Sequence, residues 1–373
     1  LEHVDGDQAW GGPGNDTITD GSKPGYGTST DASLYGEDGN DTLTTIGSSA
    51  NLYGGPGDDT LTAEGNVATL EGGAGADTLV GNGYGTTISY AASNEGVQVD
   101  LGAHSASGGD AEGDTLVGTF HGVTGSEFDD TLIADDGGST LTGLGGDDTL
   151  TGGDGDDHLI GGDGADTLNG GVGDDHVVGG EGADILSGGA GRDTLYGDGV
   201  SSYLDQTNAS GGGDDLLNGG EGNDYLYGGA GADTLNGDDG RDNLYGGDGA
   251  DLLDGGSGSD SLEGGKGDDT LILGAGDTAY GDESSQYSEH GADTFSIYNN
   301  SSDTEFIQIR DYEAGQDAIE IHIADPASAD NVVTVTDWLN GNGSDVYVGT
   351  TLVAKVAGGV GLTPDVVYNS TLA

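Results

Sequence analysis

One aliphatic residue recurs at every ninth position along much of this chain. Leu34, Leu43, Leu52, Leu61, Leu70 and Leu79 form one run. Leu150, Leu159, Leu168, Val177, Leu186 and Leu195 form a second, and Leu217, Leu226, Leu235, Leu244, Leu253, Leu262 and Leu271 a third. This spacing suits neither a helical stripe nor a long alternating strand. It suits a short strand with one inward side chain between two outward neighbours, followed by a turn of about six residues. Two such nonapeptides close one coil. Residues 18 apart then stack at the spacing of paired strands, about 4.8 Å. The pattern predicts an all-β solenoid whose core is a ladder of single aliphatic side chains.

The turns carry the chemistry. Residues 152–160 read GGDGDDHLI, and GGDGADTLN, GGVGDDHVV, GGEGADILS and GGAGRDTLY follow without a gap. The unit is G-G-x-G-x-D-x-U-x, with U aliphatic and Asp two residues before it. One register holds Asp148, Asp157, Asp166, Asp175, Asp184 and Asp193, and another Asp215, Asp224, Asp233, Asp242, Asp251, Asp260 and Asp269. Stacking at 18 puts Asp148, Asp166 and Asp184 on one edge and Asp157, Asp175 and Asp193 on the other. In the N-terminal run the acid position holds Asp41, Asp59 and Asp77, with Ala50 and Ala68 between them. Only one edge is acidic there.

Composition turns this geometry into a demand. Of 373 residues, 81 are Gly; 69 Asp and Glu face six Lys and Arg, for a net charge of −63. Such a chain repels itself, and nucleic acid or an anionic membrane has the wrong sign as a partner. Scattered acids with few apolar residues would read as disorder, but these acids keep a period, so the missing partner is a cation. Two aliphatic side chains per coil cannot by themselves offset the entropy of ordering eighteen residues. There is no Cys to form a disulfide, and a metal is the remaining staple. Calcium, which takes six to eight oxygens, fits a site of two stacked carboxylates and the carbonyls that Gly leaves exposed. Roughly ten or more ions are expected. Pairing at 18 gives four sites in 143–195, five in 211–271 and two in 36–80. No run of about 18 apolar residues could span a membrane.

The nonapeptide resembles the RTX (repeats-in-toxin) family, hemolysin-type calcium-binding proteins exported by type I secretion. The resemblance implies a right-handed parallel β-roll and a bacterial, secreted or cell-surface location. It also implies the ligand set. One turn gives the carbonyls of its second and fourth positions and its Asp; the turn 18 residues on gives its first and third carbonyls and its Asp. One site would then join Leu144, Gly146 and Asp148 to Gly161, Asp163 and Asp166. The same positions elsewhere are Gly153 and Gly155, Gly171 and Gly173, Gly180 and Gly182, and Gly220 and Gly222. Register-end aspartates, Asp16, Asp130, Asp215 and Asp277, are equally explained as solvated turn residues.

Six segments follow. Residues 1–85 form an N-terminal roll. Residues 86–142, with SYA, GVQVDL, GDAEGDTL and GSEFDDTL, resemble an RTX spacer that continues the solenoid with few calcium sites. Residues 143–199 and 211–277 are roll blocks, and 200–210 is a loop insertion that interrupts them. Residues 20–33 form a similar insertion. Residues 278–373 read as a C-terminal β cap, whose last residues, VYNSTLA, resemble a type I secretion signal. His158 and His176 should stack outside, as solvated residues rather than a metal pair. Tyr35 and Tyr53, and Tyr227 and Tyr245, should stack likewise. No HExxH or GxSxG motif and no nucleophile–base pair at family spacing is present, and the chain reads as a non-enzyme. The expected function is an extracellular scaffold that folds on calcium after secretion, as a surface-layer, filament or adhesin component. The alternative is the C-terminal calcium-binding module of a larger secreted hydrolase or epimerase. The chain begins at Leu1 without an initiator Met and reads as processed or as a fragment. Its first repeat, GGPGNDTIT at Gly11, has no cap before it, so self-association or an upstream domain is expected at that end.

Overall fold

Every ninth residue of the ladder is sealed: Leu43, Leu61, Leu150, Leu159, Leu217, Leu235 and Leu271 are completely buried. The computed structural model describes residues 2–4, 8–20, 32–46, 49–64, 67–83, 85–198, 212–282, 291–299, 306–313, 316–323, 333–337, 343–348, 351–357 and 365–368. Among them the structure is all-β, with no α-helix and one 3₁₀ turn at Gly109–Ala111. The chain forms two compact units, 1–177 and 178–373.

In the first unit two parallel sheets share the core. One runs Thr17–Asp20, Thr42–Thr45, Thr60–Ala63, Thr78–Gly81 and Thr115–Gly118. The other runs Gln8–Trp10, Ala32–Tyr35, Ala50–Tyr53, Ala68–Glu71, Thr86–Ser89, Gly122–Thr124, Thr140–Gly145 and His158–Asp163. Leu stacks on Leu in register, as in Leu43↔Leu61 and Leu61↔Leu79. The spacer departs from the expected simple continuation. Only the second sheet passes through it unbroken. In the first, Ser105–Ser107 runs antiparallel to both Gln98–Asp100 and Thr115–Gly118. Parallel stacking resumes where Gln98–Asp100 pairs with Thr131–Ile133. Larger side chains fill this irregular stretch, including the buried Tyr90 and Phe120.

In the second unit, one sheet stacks Ile185–Gly191, Leu216–Gly222, Thr234–Gly240, Leu252–Asp254, Thr270–Leu273, Thr294–Asn299, Ala318–Ile323 and Asp365–Tyr368. The other stacks Thr194–Asp198, Tyr225–Ala230, Asn243–Asp248, Ser261–Lys266, Thr278–Asp282, Ile307–Ile309 and Thr351–Ala357. Parallel stacking therefore outlasts the repeat pattern, with Leu271 on Phe295 and Phe295 on Ile319. An antiparallel meander of Val333–Asp337, Gly343–Val348 and Thr351–Ala357 completes this sheet. The stretch 199–211, which contains the expected loop, lies outside the described residues, as do 21–31 and 369–373. The loop does not break the stack: Ile185 pairs with Leu216 and Thr194 with Tyr225, 31 residues on.

Strands also run longer than three residues. Thr149–Asp154 extends into the turn, where Gly153 pairs with Gly171. That pairing needs a positive φ at position 2 of the nonapeptide, which glycine supplies freely: φ is 103° at Gly153 and 113° at Gly171. Glu37, Leu144 and Asp238 occupy the same position with φ of 72°, 91° and 66°. The coil imposes this conformation even on residues with a Cβ.

Candidate metal centre

The repeat aspartates form continuous hydrogen-bonded rows. Asp16 N–H donates to Asp41 Oδ1, Asp41 N–H to Asp59 Oδ1 and Asp59 N–H to Asp77 Oδ1, each at 2.7 Å. The row continues from Asp77 to Asp114 at 2.8 Å. Farther on, Asp130 donates to Asp148 and Asp148 to Asp166, while Ser139 donates to Asp157 and Asp157 to Asp175 on the other edge. In the second unit one row links Asp184, Asp215, Asp233, Asp251, Asp269, Asp293 and Asp317. The other links Asp193, Asp224, Asp242, Asp260 and Asp277.

One oxygen of each carboxylate is thus spent on the backbone of the coil before. For Asp41, Asp59, Asp77, Asp148, Asp157, Asp215, Asp233, Asp242, Asp251 and Asp269, the second oxygen, Oδ2, is buried and accepts no hydrogen bond. A buried carboxylate oxygen without a donor is costly. Glycine makes room for it. A methyl on Gly143 would strike Asp148 Oδ2 and the Gly161 carbonyl. A methyl on Gly162 would strike the Leu144 carbonyl, and one on Gly164 the Gly146 carbonyl. The Asp163 carbonyl accepts the Gly146 N–H at 2.9 Å, which leaves its second lone pair available. Asp148 Oδ2 and the Gly161 carbonyl thus lie against Gly143, the Leu144 carbonyl against Gly162 and the Gly146 carbonyl against Gly164, in two stacked coils. They fit a hard cation that takes mixed carboxylate and carbonyl ligands. No cluster of three His, Asp or Glu side chains forms among the described residues, so carbonyls would have to supply most of the ligands.

The electrostatics agree with an unmet need for positive charge. Burial, reinforced by neighbouring carboxylates, pushes Asp148, Asp215 and Asp251 up to about 8. Asp77, Asp233, Asp242 and Asp293 rise to about 7, and Asp59, Asp157, Asp166 and Asp269 to about 6, burial again leading.

The sequence left the register-end aspartates open between row member and solvated turn residue. Asp130, Asp215 and Asp277 are buried in the rows, and Asp16 of that group is half-exposed. Asp114, Asp293 and Asp317 extend the rows without having been singled out. The D-T-L of Asp114 and the D-T-F of Asp293 were the signal, since each keeps the Asp-to-core spacing. At row ends, protein donors replace the bare oxygen. Asp114 Oδ2 accepts Tyr90 O–H at 2.9 Å, Asp130 Oδ2 accepts Ser126 N–H at 2.5 Å, and Asp277 Oδ2 accepts Gly274 N–H at 2.7 Å. Asp317 Oδ2 accepts Glu313 N–H at 2.6 Å. Opposite Asp41, Asp59 and Asp77, the equivalent positions hold the buried Ala32, Ala50 and Ala68.

On the outer faces, His158 and His176 lie 4.7 Å apart, tilted by 48°. Burial lowers the pKa of both, so they are half-buried neutral neighbours rather than fully solvated residues. Tyr35 stacks on Tyr53 at 4.9 Å and on Trp10 at 5.6 Å; Tyr227 stacks on Tyr245 at 4.8 Å and on Tyr196 at 4.9 Å.

The pattern of one family, the RTX calcium-binding nonapeptide repeat, matches residues 5–22, 26–45, 47–79, 67–83, 124–159, 142–177, 151–186, 169–201, 210–244 and 245–278, more than half of the chain. No curated protein matches it.

Proposed function

The chain belongs to the RTX calcium-binding nonapeptide repeat family, and on that premise we propose that it is an extracellular scaffold that folds when calcium binds and serves a structural, self-assembling role. The observation that carries this reading is the row of buried Asp Oδ2 atoms without a hydrogen-bond donor. A roll built around them holds charge that a cation must balance once the carboxylates ionise, so binding free energy becomes folding free energy. Calcium would lie between stacked turns, on both edges through 143–195 and 211–271 and on one edge through 36–80. Each ion would take the carbonyls of positions 2 and 4 and the Asp of one turn, with the carbonyls of positions 1 and 3 and the Asp of the next. The affinity expected of an extracellular module, roughly 10⁻⁴ to 10⁻³ M, leaves the chain unfolded in a calcium-poor cytosol and folds it outside.

The test is a calcium titration of chelated protein at pH 7.5, followed by far-UV circular dichroism. A cooperative gain of β signal with calcium is expected. A full β signal in excess EDTA at that pH would overturn the reading. Sedimentation of the calcium-loaded chain tests the assembling role, and a monomer at every concentration would count against it.

A further inference from the structure

The turn that follows Thr270–Leu273 is one residue shorter than the turn stacked beneath it. Asp260 N–H donates to Asp277 Oδ1 across 17 residues, where the preceding pair, Asp242 and Asp260, is 18 apart. The short turn closes on itself, with Gly274 N–H donating to Asp277 Oδ2 at 2.7 Å. Beside it lies an open groove of about 520 Å³ that crosses three coils and is lined by none of the row aspartates.

The register explains the groove. Asp254 pairs with Ile272, and Leu273 with Ile297, so Gly256, Gly274 and Tyr298 fall in one row up the stack. Neither glycine has a side chain, and the row is empty for two coils below Tyr298. Above it, His322 stacks on the tyrosine ring, 4.4 Å between centroids and 4° from parallel. Tyr298 is 36% exposed. With one ring face against His322, its other face borders the empty row. Ile272 and Ala275 make the sides apolar. Asp254 adds a carboxylate whose Oδ1 accepts the Gly256 N–H at 3.1 Å and whose Oδ2 accepts no hydrogen bond among the described residues. Ser257, also in the lining, gives its hydroxyl hydrogen to Asp239 Oδ1 at 2.7 Å. No basic side chain lines the groove.

We propose that this groove binds a methylated organic ammonium group, held between the open face of Tyr298 and the carboxylate of Asp254. An aromatic face attracts a cation electrostatically, and Asp254 supplies the counter-charge. The net charge of −63 draws cations to the surface as a whole; the groove adds the shape. A methylated ammonium suits it better than a primary one. The apolar sides take its methyl groups, whereas a primary ammonium carries three donors to a groove whose one charged acceptor is Asp254. The site is separate from the aspartate rows and does not depend on how they hold calcium.

The experiment is saturation-transfer NMR on the whole chain in millimolar calcium at pH 7.5, with choline as the probe and its trimethyl resonance as the signal. Neohexyl alcohol, in which carbon replaces the choline nitrogen, has the same shape without the charge and should bind about tenfold more weakly. Tyr298→Ala should weaken choline by about fivefold, and Tyr298→Phe, which keeps the ring face, should hold it near wild type. Asp254→Asn should weaken it by about threefold. Asp254 and Tyr298 lie outside the ladder core, and the Phe and Asn variants keep the shape of the side chain, so these two test the site even where the Ala variant disturbs the coil. No saturation transfer to choline, or equal binding of neohexyl alcohol, would overturn the proposal. Choline binding that ignores both Tyr298→Ala and Asp254→Asn would overturn it too, because it would mark diffuse attraction to the acidic surface.

Discussion

Replacing Asp251 by Asn should act with opposite signs in the presence and absence of calcium. Asp251 Oδ1 accepts the Asp233 N–H at 2.8 Å, and its own N–H donates to Asp269 Oδ1 at 2.9 Å. Its Oδ2 is buried and bare, packed over Gly246. Burial first, then the charges of Asp233, Asp269 and Asp248, raise its pKa from 3.8 to about 8. A raised carboxylate binds its proton more tightly in the folded roll than in the unfolded chain. Its stabilising contribution is complete below the unfolded value near 4 and is lost as pH rises through about 8. At about 1.4 kcal/mol per unit, keeping Asp251 charged at pH 8 without a metal costs on the order of 5 kcal/mol. Asn removes that cost and keeps an acceptor for Asp233. In EDTA, wild-type β signal should therefore be present in acid and fade between about pH 6 and 8, and Asp251→Asn should carry it to higher pH. In calcium the same change removes a charged ligand from two successive sites, Asp233–Asp251 and Asp251–Asp269. The calcium midpoint at pH 7.5 should rise by about tenfold or more. Circular dichroism reads both limbs. An Asn variant that loses β signal at lower pH than wild type in EDTA, or that folds at the wild-type calcium midpoint, would refute the reasoning.

Leu144→Gly should stabilise the calcium-loaded roll by about 1 kcal/mol, because it relieves the φ of 91° at a position where most coils hold glycine; a lower melting temperature for the variant would contradict this. Leu235→Ala opens a cavity beneath a completely buried ladder position and should cost about 2–5 kcal/mol in denaturant unfolding at saturating calcium. The half-exposed Thr234 beside it should tolerate Ala within about 0.5 kcal/mol. Tyr90→Phe leaves Asp114 Oδ2 buried without its donor and should cost about 1–3 kcal/mol, read by the same unfolding curves.

The period of nine was enough to place the ladder, the two sheets and the acid rows, because each depends on one residue type at one position. Leu43, Leu61 and Leu79 stack, and Asp41, Asp59 and Asp77 line one edge against Ala50 and Ala68, as the spacing requires. What the spacing could not reveal depends on residues far apart in the chain. The pairing of Asp184 with Asp215 crosses a 31-residue gap, and counting by 18 stops there. Asp130 and Asp277 are buried with donors that no repeat position encodes, Val97 and Ser126 for the first and Gly274 for the second. The reversed strand Ser105–Ser107 has no repeat period to betray it.

The row ends give the solenoid a direction that the repeats alone do not have. Within a row every turn is interchangeable, and a roll held only by stacked nonapeptides could slip by one coil at the cost of its end contacts. The exchange of a bare oxygen for a protein donor marks fixed positions. Asp114 takes Tyr90 O–H and Asp130 takes Ser126 N–H within the spacer, and Asp277 takes Gly274 N–H beyond the last regular repeat. Each donor reaches only one carboxylate, and a slipped register would leave that donor and that carboxylate buried and unmatched, at about 1–3 kcal/mol for each group. The apolar irregularities act in the same sense: Tyr90 and Phe120 fill one stretch of core and Phe295 another, and no ladder leucine has their shape. On this argument, cation sites supply the cohesion of the roll, and the few coils with internally satisfied aspartates set its register.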